Sequence, residues 1–283
     1  MSAPLGITGS TGNLGGRIAR LLADAGAAQR LLVRDPGRAP DLIGTEVVQA
    51  HYGEFDAVRR ALDGLDTVLM VSGAESATRL VEHKTFVDAA VAAGVGHLVY
   101  VSFFGAAPDA TFTLARDHDA TERHIAGTGI RHTFLRDNLY ADFFPLMADD
   151  QGVIRGPAGD GRVAAVAQDD IAAVAVAVLT DPAAHAGATY SLTGPEALTL
   201  TEVAEVMTRA TGRPHRFEDE TLEQAYASRA SYDAPDWQLD AWVSTYTAIA
   251  SGELAGVTDD VERVAGRSPL SLEQLFTRSH GLV

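Results

Sequence analysis

Along the first half of the chain, short apolar runs alternate with stretches whose apolar residues recur every three or four positions. Each change of period predicts a change of element. An apolar lead-in ending at Thr8 predicts a first strand, and Leu14, Ile18, Leu21 and Leu22 behind it share one helical face. Gln29 to Pro36 predicts a second strand closed by a turn, and Val47 to Ala50 a third. Phe55, Val58, Leu62 and Leu65 return to helical spacing. Asp66 to Val71 predicts a fourth strand, whose unbroken Val68-Leu69-Met70-Val71 run suits a parallel sheet covered on both faces. A long helix is predicted over 75–93 with Gly94 as its stop, a fifth strand over His97 to Ser102, a helix over 112–128, and a sixth strand over Ile130 to Arg136. The alternation predicts an α/β fold, a doubly wound parallel sheet of the Rossmann kind.

Beyond residue 140 the pattern loosens. Gly152, Gly156, Pro157, Gly159 and Gly161 mark a loop-rich stretch. Asp169 or Asp170 is the expected cap of a helix running through Leu179 to Asp181-Pro182, and Ala188 to Thr193 reads as a strand. Thr201 is the expected cap of the helix carrying Val203, Val206 and Met207. Residues 214–283 read as mostly helical, with Trp237, Trp242 and Tyr246 grouped as lobe core or as a substrate wall. The expected organisation is a Rossmann domain over 1–150 and a smaller, mostly helical C-terminal lobe over 151–283. Residues 163–193 are expected to return to the Rossmann core.

Chemistry enters at the junction of the first strand and helix. Ile7-Thr8-Gly9-Ser10-Thr11-Gly12-Asn13-Leu14-Gly15-Gly16 spaces glycines at 9, 12 and 15 between them. Gly9 suits a tight turn, Gly12 a close approach of backbone to phosphate, and Gly15 close packing of helix on strand. A strand, a glycine turn and a helix in that order place a pyrophosphate on a helix N-terminus. An ordinary tight turn is the competing reading.

Composition narrows the classes. The 283 residues are 46% hydrophobic, enough for a large core. A net charge of −16, from 22 Lys+Arg against 38 Asp+Glu, argues against a general nucleic-acid binder. The chain has no cysteine, which removes disulfides, thiolate catalysis and Cys-ligated zinc. His118 and Glu122 stand i, i+4, but no further ligand with metal-site spacing accompanies them, so no metal is expected. No leader and no membrane span are visible, so a cytoplasmic location is expected.

Further stretches carry a resemblance. Leu32-Val33-Arg34-Asp35-Pro36, Ala50-His51-Tyr52-Gly53, Asp88-Ala89-Ala90, Val99-Tyr100-Val101-Ser102, Phe134-Leu135-Arg136, Gly156-Pro157-Ala158-Gly159-Asp160-Gly161 and Tyr190-Ser191-Leu192-Thr193-Gly194 join the glycine loop. Together they resemble the NmrA-like, atypical short-chain dehydrogenase/reductases, and most of all the bacterial NAD(P)H:quinone oxidoreductases of that type. The resemblance implies a dinucleotide held by backbone and hydroxyl groups at Ser10, Thr11, Asn13 and Leu14, with Tyr52 near the adenine. It places Ser72 and Gly73 at the ribose and pyrophosphate, and His83 and Lys84 match a basic pair of those relatives. Ser102 and Asn138, at the ends of strands five and six, complete the expected cofactor contacts.

The residue ending the second strand decides between the two nicotinamide dinucleotides, because an acid there holds the ribose 2′-OH and repels a 2′-phosphate. Arg34 stands there, with Arg38 as a second cation, which favours NADP(H) over NAD(H). Asp35 leaves the alternative open, since a shift of one residue puts an acid at the ribose.

The Tyr-x-x-x-Lys pair of standard superfamily members is missing. The only lysine is Lys84, with Leu80 four residues before it, and the expected place reads Leu114-Ala115-Arg116-Asp117-His118. Reduction of a simple ketone is therefore disfavoured. A quinone is better suited, since its reduced anion is phenolate-like, with a conjugate acid of pKa about 10 by comparison with tyrosine. The expected activity is hydride transfer from NADPH to a quinone or similar electron-poor acceptor. A non-catalytic NADP(H) sensor is the alternative. His118 and Tyr140 are the candidate catalytic residues, and Phe103, Phe104, Tyr140, Phe143 and Phe144 the candidate walls of an aromatic acceptor pocket. The expected partner is a small molecule; the oligomeric state stays open, a homodimer included.

Overall fold

The structure is a computed structural model that describes residues 4–280. Strand β1 (Leu5–Thr8), helix α1 (Asn13–Asp24), β2 (Gln29–Val33), β3 (Thr45–Gln49), α2 (Phe55–Ala61), β4 (Thr67–Val71), α3 (Arg79–Ala92), β5 (His97–Phe103), α4 (Thr113–Thr128) and β6 (Arg131–Asp137) alternate as the periodicity predicts. Then come α5 (Phe144–Met147), β7 (Val153–Gly156), β8 (Arg162–Val163), α6 (Gln168–Thr180) and β9 (Thr189–Leu192). The chain goes on through β10 (Leu198–Thr199), α7 (Leu200–Thr211), β11 (Arg216–Asp219), α8 (Leu222–Arg229), α9 (Asp236–Ala250), α10 (Asp260–Ala265) and α11 (Leu272–His280).

Seven strands form one sheet in the order β3-β2-β1-β4-β5-β6-β9. The registers Ile7↔Leu31, Ile7↔Leu69, Leu31↔Val47 and Leu69↔Val99 are all parallel. The order reverses between β1 and β4, so the crevice where an open α/β sheet takes its ligand lies at the carboxyl ends of those two strands. The fold is the doubly wound sheet expected. On one side Val58, Leu62, Phe86, Val87, Ala90 and Ile125 pack on Leu32, Val68, Met70, Leu98 and Tyr100.

The chain divides into two compact units, and both are discontinuous. One holds the residues up to Phe103 with Asp117–Arg136 and Ile171–Tyr190; the other holds Phe104–Arg116, Asp137–Asp170 and the residues from Ser191 on. The second unit pairs β8 with β10 antiparallel and β7 with β11 parallel.

Several local expectations are corrected. Leu21 is 43% exposed, while Leu14, Ile18 and Leu22 are buried, so the apolar stripe of α1 is narrower than the spacing suggests. Helix α3 begins at Arg79, after a turn in which the Arg79 N–H donates to the Ser76 carbonyl. Thr199 caps α7 in place of Thr201, because Glu202 stands three residues after it and closes a capping box. Asp169 and Asp170 lie inside the first turn of α6. The Asp170 carboxylate instead accepts the Leu270 N–H at 2.8 Å and pairs with Arg267 at 2.6 Å. Residues 216–219 are a strand, inside a stretch expected to be helical. Tyr246 is core beneath the Arg229 guanidinium, 5.0 Å from its ring centre, and Trp242 meets Tyr232 edge-on.

Candidate functional site

The glycine loop is built as a cradle. Gly9 takes φ +67°, and a Cβ there would lie 2.9 Å from Val71 of β4. A Cβ at Gly15 would stand 2.3 Å from the Gly9 carbonyl oxygen, so helix and turn touch through bare backbone. Gly12 is the N-cap of α1 and provides no side-chain cap, and the first turn carries no acid. The amide groups at this end are left for an anion, at the positive end of a twelve-residue helix. The Ser10 hydroxyl is buried with no hydrogen-bond partner among the described residues. Bare N–H groups, close-packed glycines and an unsatisfied buried hydroxyl fit a dinucleotide pyrophosphate. Thr11 is half-buried and Asn13 exposed at the rim, while Leu14 points into the core.

At the end of β2, Arg34 and Asp35 differ in what their side chains engage. Asp35 caps the 3-10 turn Pro36–Arg38, its Oδ1 accepting the Gly37 N–H at 2.9 Å. Arg34 and Arg38 flank it, both exposed, and neither guanidinium has a partner among the described residues. The turn thus presents two uncommitted cations beside an engaged carboxylate.

Tyr52 bridges β1 and β4. Its hydroxyl meets Thr8 Oγ1 at 2.6 Å and the Val71 carbonyl at 2.7 Å, and Thr8 Oγ1 also accepts the Val71 N–H. Burial pushes the phenol well above its usual range. The hydroxyl is committed to the sheet, which leaves only the ring for a ligand. Ser72 and Gly73 follow β4 and are half-buried.

Behind Gly73 lies a polar cluster of which the spacing gave little hint. The His83 Nε2 accepts the Gly73 N–H at 2.8 Å, and its Nδ1 meets Thr121 Oγ1 at 3.1 Å. Burial, with the Arg79 cation, holds His83 down to about 3, so the ring is neutral. Arg79 is itself buried; its Nε donates to the Gly73 carbonyl at 3.0 Å and its Nη2 to His118 Nε2 at 2.8 Å. A guanidinium only donates, so His118 carries its proton on Nδ1, which faces the Tyr100 hydroxyl at 3.0 Å. Burial first, then Arg79, holds His118 well below the ordinary imidazole range. Expected as a proton donor titrating near neutrality, His118 is instead a neutral ring with both nitrogens engaged. Lys84 is half-buried next to His83 and outside this cluster.

Ser102 is fully buried and donates to Glu122 Oε1 at 2.5 Å, where Arg136 forms a two-pronged pair at 2.9 and 2.5 Å. Its hydroxyl and the Glu122 carboxylate serve this internal network; Glu122 is accounted for without a metal. Phe103, at the end of β5, is buried with its ring 6.0 Å from His118.

In the second unit, Asn138 is fully buried and spends its side chain on backbone. Its Nδ2 donates to the Leu254 carbonyl at 3.0 Å, and its Oδ1 accepts the Leu139 N–H. Its place is therefore in holding the loop after β6. Phe144 is 1% exposed and packs in the core, where it borders a small cavity with Val163, Leu198 and Leu272. Phe143 is 43% exposed and meets Tyr140 edge-on at 5.2 Å, and Phe104 is half-buried. The Tyr140 hydroxyl donates to Asp137 Oδ2 at 3.0 Å, and burial raises that carboxyl well above the carboxylate range. Asp137 went unnoticed in the sequence because a strand-ending acid has no distinguishing pattern.

Among the described residues no helix is long and apolar enough to cross a membrane. A family model described as NAD(P)H-binding matches residues 9–182. The NADPH-dependent quinone oxidoreductase of Escherichia coli, solved with NADPH, superposes with a TM-score of 0.89 at 30% identity, over 99% of this chain and 100% of that one. The NAD(P)H azoreductase of Xenophilus azovorans is 32% identical, over 97% of this chain and 96% of its own. The (4-alkanoyl-5-oxo-2,5-dihydrofuran-3-yl)methyl phosphate reductase of Streptomyces griseus is 36% identical, over 92% of each. With a cradle that fits a dinucleotide and full-length relatives of this kind, the chain belongs to the NAD(P)H-binding family, in its NmrA-like group of oxidoreductases.

Proposed function

We propose that the protein is an NADPH-dependent reductase that passes hydride to a quinone or a similarly electron-poor acceptor, without a Tyr-x-x-x-Lys pair. The observation that carries this reading is the state of His118: where a proton-handling lysine would stand, the chain places a buried neutral imidazole tied to Arg79. The relatives named above reduce a quinone, an azo compound and an unsaturated furanone, and each such acceptor is a conjugated, electron-poor π-system. Hydride addition to such a system gives a delocalised anion that leaves or is protonated by water.

Reduced nicotinamide supplies the hydride when bound. The first turn of α1 holds the pyrophosphate through backbone N–H groups, with the Ser10 hydroxyl as an added donor. Arg34 and Arg38 take the 2′-phosphate, which favours NADPH over NADH. Ser72 and Gly73 form the crevice wall after β4, and the Tyr52 ring lies toward the adenine. Phe103, Phe104 and Tyr140 are assigned to the acceptor. Asn138 supports the loop that carries Tyr140.

The test is steady-state NADPH oxidation with a panel of quinones, azo dyes and simple aliphatic ketones. Turnover of quinones or azo dyes, and little of ketones, is expected. Tight NADPH binding with no turnover on any acceptor would replace the enzyme by a dinucleotide sensor.

A further inference from the structure

The Arg79 cluster has no part in the hydride transfer proposed above, yet it is organised around one peptide. Gly73 is held at both ends: its carbonyl accepts Arg79 Nε, and its N–H donates to His83 Nε2. A Cβ on Gly73 would lie 3.3 Å from His83 Nε2, so that ring packs directly on the peptide it holds. Arg79 is 5% exposed, and its nearest carboxylate, Asp117, stands 3.7 Å from Nη1, beyond hydrogen-bond reach. That nitrogen has no hydrogen-bond partner among the described residues. A buried cation so thinly compensated costs stability. Cheaper ways to close a helix start exist, and Thr199 and Thr221 show them in this chain, each in a capping box. What the guanidinium achieves that a hydroxyl cap does not is a fixed orientation of Gly73, six residues before it, at the carboxyl end of β4.

We infer that Arg79 is a positioning residue for the dinucleotide: it fixes the Ser72–Gly73 segment of the crevice, and His118 is the acceptor that aims its guanidinium. His83 holds the other end of the same peptide, and Tyr100, Thr121 and Asp117 close the shell behind them. The inference rests on the assignment of Ser72–Gly73 to the cofactor, and it gives the position usually occupied by the superfamily's lysine a mechanical task in place of a chemical one.

The test uses the full chain. Hydrogen exchange of the cofactor-free protein reads the amides of residues 72–76, and NADPH affinity is measured by fluorescence titration. In Arg79→Met, exchange at 72–76 is expected to speed up at least tenfold while the amides of β1, β2 and β5 keep their protection. The NADPH Kd is expected to rise about tenfold, the scale of one lost charged hydrogen bond. The kcat at saturating NADPH is expected to change less than threefold. Arg79→Lys, which keeps one donor, is expected to recover part of the affinity, and His118→Gln, which keeps an acceptor, to lose less than His118→Leu. Wild-type Kd and unchanged exchange in Arg79→Met overturn the inference, and so does a uniform loss of protection across the sheet. If Arg79→Met does not fold, the contrast between His118→Gln and His118→Leu decides, equal affinities overturning it. Failure of the wild-type protein to bind NADPH strikes the cofactor assignment itself and is thereby told apart.

Discussion

Lowering the pH tests whether His83 is neutral, with a sign that follows from its partners. The ring is 0% exposed, accepts the Gly73 N–H at Nε2, and is held down to about 3 by burial and by Arg79. In the unfolded chain it returns to an ordinary value of about 6.5. Between those two values the unfolded state binds the extra proton, so stability falls as the pH drops below about 6.5. From about pH 7.5 to about pH 5 one such histidine removes about 2 kcal/mol. Total acid sensitivity is a poor readout, because other groups contribute. His97 and His118 are also lowered and act in the same sense, whereas Asp117, Asp137 and Asp170 are raised by burial and oppose it. The difference between wild type and His83→Gln isolates the one ring, since the amide keeps an acceptor near Gly73 and does not titrate. Urea unfolding followed by far-UV circular dichroism at both pH values gives that difference. His83→Gln is expected to be less stable at pH 7.5 and to lose about 2 kcal/mol less than wild type on acidification. Parallel losses in the two proteins would refute the argument.

Arg34→Asp should weaken NADPH by roughly ten- to a hundredfold and NADH much less, by calorimetry, since only the former carries the phosphate a fork of N–H donors can grip; equal losses would remove Arg34 from the 2′-phosphate. Gly15→Ala places a methyl 2.3 Å from the Gly9 carbonyl and should cost about 1–3 kcal/mol in urea midpoint together with most NADPH binding, whereas wild-type behaviour would mean that the turn is softer than drawn. Tyr52→Phe strips the hydroxyl shared by Thr8 and Val71 and should cost about 1–2 kcal/mol while changing the NADPH Kd less than about threefold, because only the ring is left to face the adenine. Tyr140→Phe should lower quinone turnover less than about tenfold; a loss of about a thousandfold or more would make that hydroxyl an obligatory acid.

Much of the cofactor cradle was legible because its demands are local. Gly9 takes the positive φ of a tight turn, Gly15 is a glycine because of a carbonyl six residues before it, and the apolar runs of β4 and β5 announce a sheet buried on both faces. The cap of α7 is also written in the chain, as Thr199 with Glu202 three residues on, whereas the apolar residues alone point to Thr201. The turn role of Asp35 is legible from its place in an Asp-Pro-Gly sequence, since an aspartate there accepts the N–H two residues ahead. The Arg79 cluster was not legible. Its members are joined by bonds spanning 39 and 38 residues, Arg79 to His118 and His83 to Thr121, and no one-dimensional period connects them. Phe144 shows the same limit: an aromatic in an aromatic-rich loop suggests an open pocket wall, and only packing shows that it is 1% exposed.

The two buried histidines also constrain which acceptors make chemical sense. Protonating His118 at Nε2 would set a second donor against Arg79, and protonating His83 would do the same against the Gly73 N–H, so neither ring can take up a proton without dismantling the support of the crevice. These two rings therefore do not supply the usual mid-range acid. In the second unit the Tyr140 hydroxyl donates to Asp137 Oδ2, and burial raises that carboxyl well above the usual carboxylate range. An alkoxide product, with a basicity far beyond tyrosine's, would find no donor in either histidine ring. A delocalised anion near the phenolate range needs none, because water protonates it after release. The engaged state of the two rings and the kinds of relatives both support the proposed class of acceptor, one from hydrogen-bond geometry and one from homology.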